Sequence, residues 1–273
     1  MHVTLTLAAP IALLILLLAK PAEAANGFEC LIEPMQSVDI SSPVIGLLDK
    51  VHVRRGDKVS KGQLLATLES RVEAAATALA LYKSEMTAPT KTAQSKIEFS
   101  KRKYERRRDM HAGNFLPQQE RDDAEAEMRL AEAELQQAIE AKQMAKLEWQ
   151  QQSSQLNLRT IRSPFDGIVV DQLLFPGEVV EPSGQKKSIL KLAQLDPLRV
   201  RVILPMSKFG QIKLGASAVV YPEAPINGRY TGSVKIIDKV VDAASGTLVV
   251  FLEIVNPKFD VPSGVKCRVE FAG

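Results

Sequence analysis

Ser42-Pro43-Val44-Ile45-Gly46 returns later in the chain as Ser163-Pro164-Phe165-Asp166-Gly167. The spacing holds through a second turn, where Gly56-Asp57-Lys58-Val59 matches Gly177-Glu178-Val179-Val180. Two turns kept in register define two copies of one β-unit. The glycines Gly46, Gly56, Gly167 and Gly177 mark turns where a side chain would oppose the backbone conformation, and the apolar residues between them read as short strands. A copy with four strands or fewer cannot bury its own apolar face. Residues 37–69 are therefore expected to pair with 159–195 as the two halves of one β-sandwich.

Between the halves lie about ninety residues rich in Ala, Gln, Glu, Lys and Arg, with apolar positions spaced alternately by three and four. One seam runs Val72, Ala76, Leu79, Lys83, Met86 and on to Tyr104; another runs Ala124, Met128, Ala131, Leu135, Ala138 and on to Leu156. The break at Ala112-Gly113-Asn114-Phe115-Leu116-Pro117 offers Gly and Asn for a helix end and Pro for the next helix start. The expectation is an antiparallel helical hairpin over 70–158 with its tip at 111–117 and arms of about 60 Å. The first arm is basic from Lys91 to Arg108 and the second acidic from Glu120 to Glu134, which favours their pairing near the tip. The run from Lys101 to Arg108 is read either as a solvated face matched to those acids or as a docking patch. Pro89 is expected to kink or interrupt the first arm. From 196 to 273 the alternation of Val200-Val202-Leu204, Leu248-Val250-Leu252 and Val265-Cys267-Val269 reads as a small β-barrel, with 25–36 as a strand leading from it.

The chain start reads as an export signal over residues 1–24. An apolar run from Leu5 to Ala19 precedes Ala22-Glu23-Ala24, a small-residue cleavage pattern. No Lys or Arg stands before Lys20, so an uncleaved anchor also fits. In the oxidising compartment that export implies, Cys30 and Cys267 either pair or remain two buried thiols. A net charge of +3 without interleaved aromatics argues against nucleic acid as a partner. His2, His52 and His111 are scattered, and no Cys-x-x-Cys, His-x-x-x-His, Gly-x-Ser-x-Gly or phosphate loop occurs. The expectation is therefore a non-enzyme with no catalytic residue, metal or cofactor.

The order of half-motif, hairpin, half-motif and barrel resembles the periplasmic adaptor subunits (membrane fusion proteins, HlyD-like) of tripartite efflux and secretion systems. It is carried by Gly56-Asp57-Lys58-Val59-Ser60-Lys61-Gly62-Gln63-Leu64-Leu65, Ser163-Pro164-Phe165-Asp166-Gly167-Ile168-Val169 and Asp196-Pro197-Leu198-Arg199-Val200. The resemblance implies a periplasmic protein associated with the inner membrane. Its partners would be a transporter of the resistance-nodulation-division (RND) or ABC type, an outer-membrane channel, and further copies of itself as a trimer or hexamer. An adaptor of an ABC exporter or type I secretion system is the alternative. The adaptors' membrane-proximal domain is not expected to be complete here. In RND-pump adaptors an Arg, a Leu and a Ser at the hairpin tip contact the channel. The matching positions are Arg106, Met110 and Pro117, of which the last two depart from that pattern. Asn114, Phe115 and Leu116 complete the candidate partner site, with Phe115 and Leu116 either facing a partner or packing back on Met110. The half-motif is also similar to lipoyl and biotinyl carriers, but Val72 stands where they place the modified Lys.

Overall fold

The computed structural model describes residues 27–182 and 188–271. The expected signal segment, 1–24, lies outside these. The described chain divides into two compact units: Ile32–Arg199 with Glu253–Gly264, and Val200–Leu252 with Val265–Phe271 and the first residues of the opening strand. Among the described residues no helix is long and apolar enough to cross a membrane.

The first unit holds the β-sandwich and the hairpin. Its strands are β1 (Phe28–Ser41), β2 (Gly46–Val51), β3 (Lys58–Val59), β4 (Leu64–Leu68), β5 (Thr160–Arg162), β6 (Gly167–Gln172), β7 (Val179–Val180) and β8 (Ser188–Pro205), of which β1 and β8 also run into the second unit. Every strand of one half pairs with the other half. β2 pairs with β7 through Gly46 opposite Val180 and Leu47 opposite Val179. β3 pairs with β6 through Lys58 opposite Ile168 and Val59 opposite Gly167. A shift of 121 residues, the spacing of the two sequence copies, converts one set of pairs into the other. β4 and β5 add a further antiparallel pair.

The turns repeat the same reciprocity. The Gly56 N–H donates to the Val169 carbonyl and the Val169 N–H to the Asp57 carbonyl (2.8 and 2.9 Å). The counterparts run from Gly177 to Leu48 and from Leu48 to Glu178 (both 2.8 Å). Each turn is closed by its acid, Asp57 Oδ2 accepting from the Arg54 N–H and Glu178 Oε2 from the Phe175 N–H (both 2.7 Å). Ser42 and Ser163 each donate to the carbonyl two residues ahead. Between the sheets Leu48, Val59, Leu65, Val169, Leu174, Val180 and Ile189 form one core.

The repeated glycines of the two turns serve different needs. Gly56 and Gly177 have φ of 91° and 93°, a left-handed conformation that other residues adopt at a cost. Gly167 is required by close approach to backbone instead, while Gly46 lies against the ends of the Arg159 and Leu68 side chains. A Cβ on Gly167 would lie 2.5 Å from the Ala193 carbonyl oxygen, and one on Gly46 would lie 2.6 Å from Arg159 Nη1. This corrects the reading that all four glycines are demanded by backbone conformation.

The hairpin consists of α1 (Arg71–Glu85), α2 (Ala88–Ala112) and α3 (Gln118–Asn157). The first arm breaks at Met86 and Thr87, and Pro89 falls in the first turn of α2, where its missing N–H removes no helical bond. Pro89 thus follows the interruption and does not kink a helix.

In the second unit β9 (Ser217–Pro222), β10 (Tyr230–Ile237), β11 (Thr247–Ile254) and β12 (Val265–Phe271) join the ends of β1 and β8. The order β1-β12-β9-β10-β11-β8 closes through a β1–β8 pairing, which makes a six-stranded barrel. Its inward residues alternate along β11, where Leu248, Val250 and Leu252 are buried. Cys30 on β1 and Cys267 on β12 form a disulfide with Cα atoms 4.8 Å apart.

The barrel expected over 196–273 is interrupted, because Glu253–Gly264 groups with the sandwich unit. Asn256 anchors that segment. Its Nδ2 donates to the Leu195 and Val261 carbonyls (3.0 and 2.9 Å), and its own N–H donates to Asp196 Oδ1 (2.8 Å).

A Gly167→Ala substitution sets a methyl against a backbone carbonyl that cannot rotate away. It is expected to cost about 2 kcal/mol, read as a lower midpoint in denaturant unfolding, whereas Gly62→Ala, with open space around it, tests the backbone cost alone.

Candidate functional site

The hairpin seam is narrow and built from small residues. Ala80, Ile97, Ser100, Ala124 and Ala131 are its buried members. Ser100, a position of the seam read from the sequence, has its Oγ buried there without a hydrogen-bond partner among the described residues. Along one edge the basic arm meets the acidic arm. Lys96 bonds Glu134 and Lys103 bonds Glu127 (both 2.5 Å), and Arg107 pairs with Glu120 nearest the tip. Lys83 and Glu148 add a looser pair at 3.7 Å towards the base. All are substantially exposed, so each adds at most about 1 kcal/mol. Their joint effect is to align the arms. Within the basic run, Lys103 and Arg107 are thus matched to the acidic arm, while Arg108 turns to Asp109 at 2.9 Å.

At the tip α2 ends on Gly113, whose N–H reaches the Asp109 carbonyl (3.2 Å). Asn114 follows with φ of 58°, the left-handed conformation for which Asn is suited. The Phe115 N–H returns to the Met110 carbonyl (2.9 Å). Pro117 stands at the N-cap of α3 with an extended backbone. His111 Nδ1 donates to the Leu116 carbonyl (2.9 Å), a clamp across the turn that the residue pattern alone did not reveal. Asp122, in the first turns of α3, has its carboxyl held below the usual range, chiefly by the hydrogen bond from the Arg121 guanidinium.

The structure separates the two apolar residues of this turn. Leu116 is half-buried. Phe115 is 80 % exposed, its ring lying over Gly113, where a Cβ would come within 2.8 Å of the ring carbons. Met110 is 48 % exposed, and Arg106, one turn earlier on α2, is exposed as well. Packing of the tip back on itself therefore involves Leu116 but leaves the Phe115 ring in water. Val72 lies exposed in the first turn of α1. Among the described residues no group of three or more His, Cys, Asp or Glu is gathered as a metal site.

Residues 36–194 match the CzcB-like barrel-sandwich hybrid domain, over more than half of the chain. The chain belongs to that family. Among relatives of this CzcB-like chain, the pyoverdine export membrane fusion protein PvdR of Pseudomonas aeruginosa is 25 % identical over 75 % of the chain and 52 % of its own length. The nickel-cobalt-cadmium resistance protein NccB of Alcaligenes xylosoxydans xylosoxydans is 27 % identical over 86 % of the chain and 55 % of its own length. The chain thus spans about half the length of these two relatives. The crystal structure of MacA from Actinobacillus actinomycetemcomitans shares the fold, with a TM-score of 0.67 at 19 % identity over 90 % of this chain and 78 % of that one. The split sandwich, helical hairpin and barrel expected from the sequence are the fold found.

A Ser100→Ala substitution is expected to stabilise the hairpin by about 1 kcal/mol, since it removes a buried hydroxyl that bonds nothing. Leu116→Ser should lower the melting temperature, whereas Phe115→Ser should leave stability within about 0.5 kcal/mol. Thermal unfolding followed by circular dichroism compares the three.

Proposed function

We propose that the chain is an exported periplasmic adaptor that links an inner-membrane transporter, of the RND or ABC type, to an outer-membrane channel. It would work by protein contacts and by assembling with further copies of itself. The observation that carries this reading is the exposed Phe115 ring at the end of a hairpin whose second arm is 40 residues long. At 1.5 Å per residue such an arm reaches about 60 Å. The hairpin is held out by exposed ion pairs and a thin seam, which suits a lever that presents its end.

Nothing in the turn requires an aromatic side chain at position 115, because Leu116 and His111 already close it. An exposed ring gains free energy only when a partner covers it. Arg106 and Met110 on α2 would flank that contact, with Asn114, Leu116 and Pro117 fixing the turn that presents it. The names of the relatives, export and resistance proteins, agree with an adaptor and not with an acyl carrier.

Covering the Phe115 ring is worth about 2 kcal/mol, hence roughly thirtyfold in affinity. Full-length chain carrying Phe115→Ser should fold and be exported normally, yet capture the outer-membrane channel from solubilised envelopes at least about tenfold less well. Undiminished capture would contradict the assignment of the tip.

A further inference from the structure

The duplicated sandwich contains its own control. Because the two halves are related by a shift of 121 residues and pair reciprocally, each outward position on one sheet has an equivalent on the opposite face. Inward positions keep their character, as in Leu48 and Val169 or Val59 and Val180, all buried. Outward positions do not. The β2–β7 face carries Ile45, Leu47, Phe175 and Val179, which are 64, 44, 60 and 50 % exposed. Their equivalents on the β3–β6 face are Asp166, Ile168, Arg54 and Lys58. Three of the four are charged, so the fold itself does not demand apolar side chains there.

The two faces also differ in what covers them. On the β3–β6 face Lys58 Nζ lies 4.3 Å from the centre of the Phe259 ring, which belongs to the Glu253–Gly264 segment. Asp166 Oδ1 accepts from the Lys61 N–H (2.8 Å). The equivalent of that bond is missing by chemistry on the other face, where Ile45 has no carboxylate and Pro182 no N–H. The turns are opposite in charge as well. Residues 54–61 hold Arg54, Arg55, Lys58 and Lys61 against Asp57, whereas residues 175–182 hold Glu178 and Glu181 and no cation.

From this asymmetry we infer that the β2–β7 face is an interface for a second copy of this chain, receiving that copy's basic 54–61 turn and Phe259. The occupant follows from charge complementarity: an apolar face rimmed by Glu178 and Glu181 matches a turn rich in Arg and Lys with long aliphatic stems. The two surfaces lie on opposite sides of one sandwich and are different. Their contact is therefore heterologous, with each copy free to offer the other surface to the next, the geometry that closes into a ring. The inference rests on the proposal that the chain acts as an oligomer and names the surface used.

The test places the photo-reactive residue p-benzoylphenylalanine at position 179 of the full-length chain in the bacterial envelope. The expected result is an adduct of two copies whose crosslink maps to residues 54–61 or 255–260 of the neighbour. Adding high salt to isolated envelopes should lower its yield. A second variant, Phe175→Arg with Val179→Lys, installs the residues that the equivalent positions already carry. It should stay as protease-resistant as the wild type, while crosslinking between copies from a probe at Leu47 falls at least about tenfold. Adducts between copies that map only to the neighbour's hairpin overturn the surface assignment and leave oligomerisation standing. Loss of folding in the double variant also overturns it, since the apolar residues would then serve the fold. Absence of any adduct between copies, from probes at both 47 and 179, overturns the oligomer reading with it.

Discussion

Everything in the first unit depends on two half-motifs completing each other's hydrogen bonds. Leu48 and Val169, equivalent residues, each give and receive one main-chain bond across the junction with the other half's turn. Leaving one of these groups buried and unpaired costs about 1 to 3 kcal/mol. About ninety residues lie between the halves, so the intervening segment must begin and end at the same place. An antiparallel hairpin meets that requirement while burying its own seam. Arg159, just after α3, ties the base by bonding Glu73 in the first turn of α1 (2.5 Å) and the Ile45 carbonyl (3.0 Å). The length of the arms is then free to follow function, because the sandwich constrains only their roots.

A similar long-range closure organises the barrel. Its first and last strands are β1 and β12, and the Cys30–Cys267 disulfide joins them across 237 residues. By the chain-entropy argument a crosslink closing so long a loop removes roughly 5 kcal/mol of freedom from the unfolded chain. Such a bond persists in an oxidising compartment. Asn256 acts comparably within the sandwich unit, where its side-chain amide bonds residues 195 and 261 and its main-chain N–H bonds Asp196.

The repeat, the heptad seams of α2 and α3 and the charge pattern of the arms made the fold legible, because each is a local periodicity that survives in one dimension. The seam read over α1 is off its buried face, since Val72 and Leu79 are exposed and Ala80 is buried. What was not legible depends on contacts between distant residues. The need for glycine at 167 lies in the position of the Ala193 carbonyl, and the pairing of the two cysteines lies in the adjacency of β1 and β12. Residues 253–264 fell inside the span expected for the barrel, but the buried Asn256 bonds Leu195 and Asp196 of the sandwich unit. At the tip, Phe115 and Leu116 are neighbours of the same chemical class, and only the turn geometry shows that one is tucked and the other presented. The outward asymmetry between Phe175 and Arg54 is plain in the aligned copies, yet it acquires meaning only once the structure shows which positions face out.

Native-state hydrogen exchange of the Leu48, Gly56, Val169 and Gly177 amides tests the central dependence most directly. If the two halves complete one another, the four amides exchange only through unfolding of the whole sandwich, with equal free energies that match the global value. If the amides of residues 46–59 exchange substantially faster than those of 167–180, the halves fold separately and the account is contradicted.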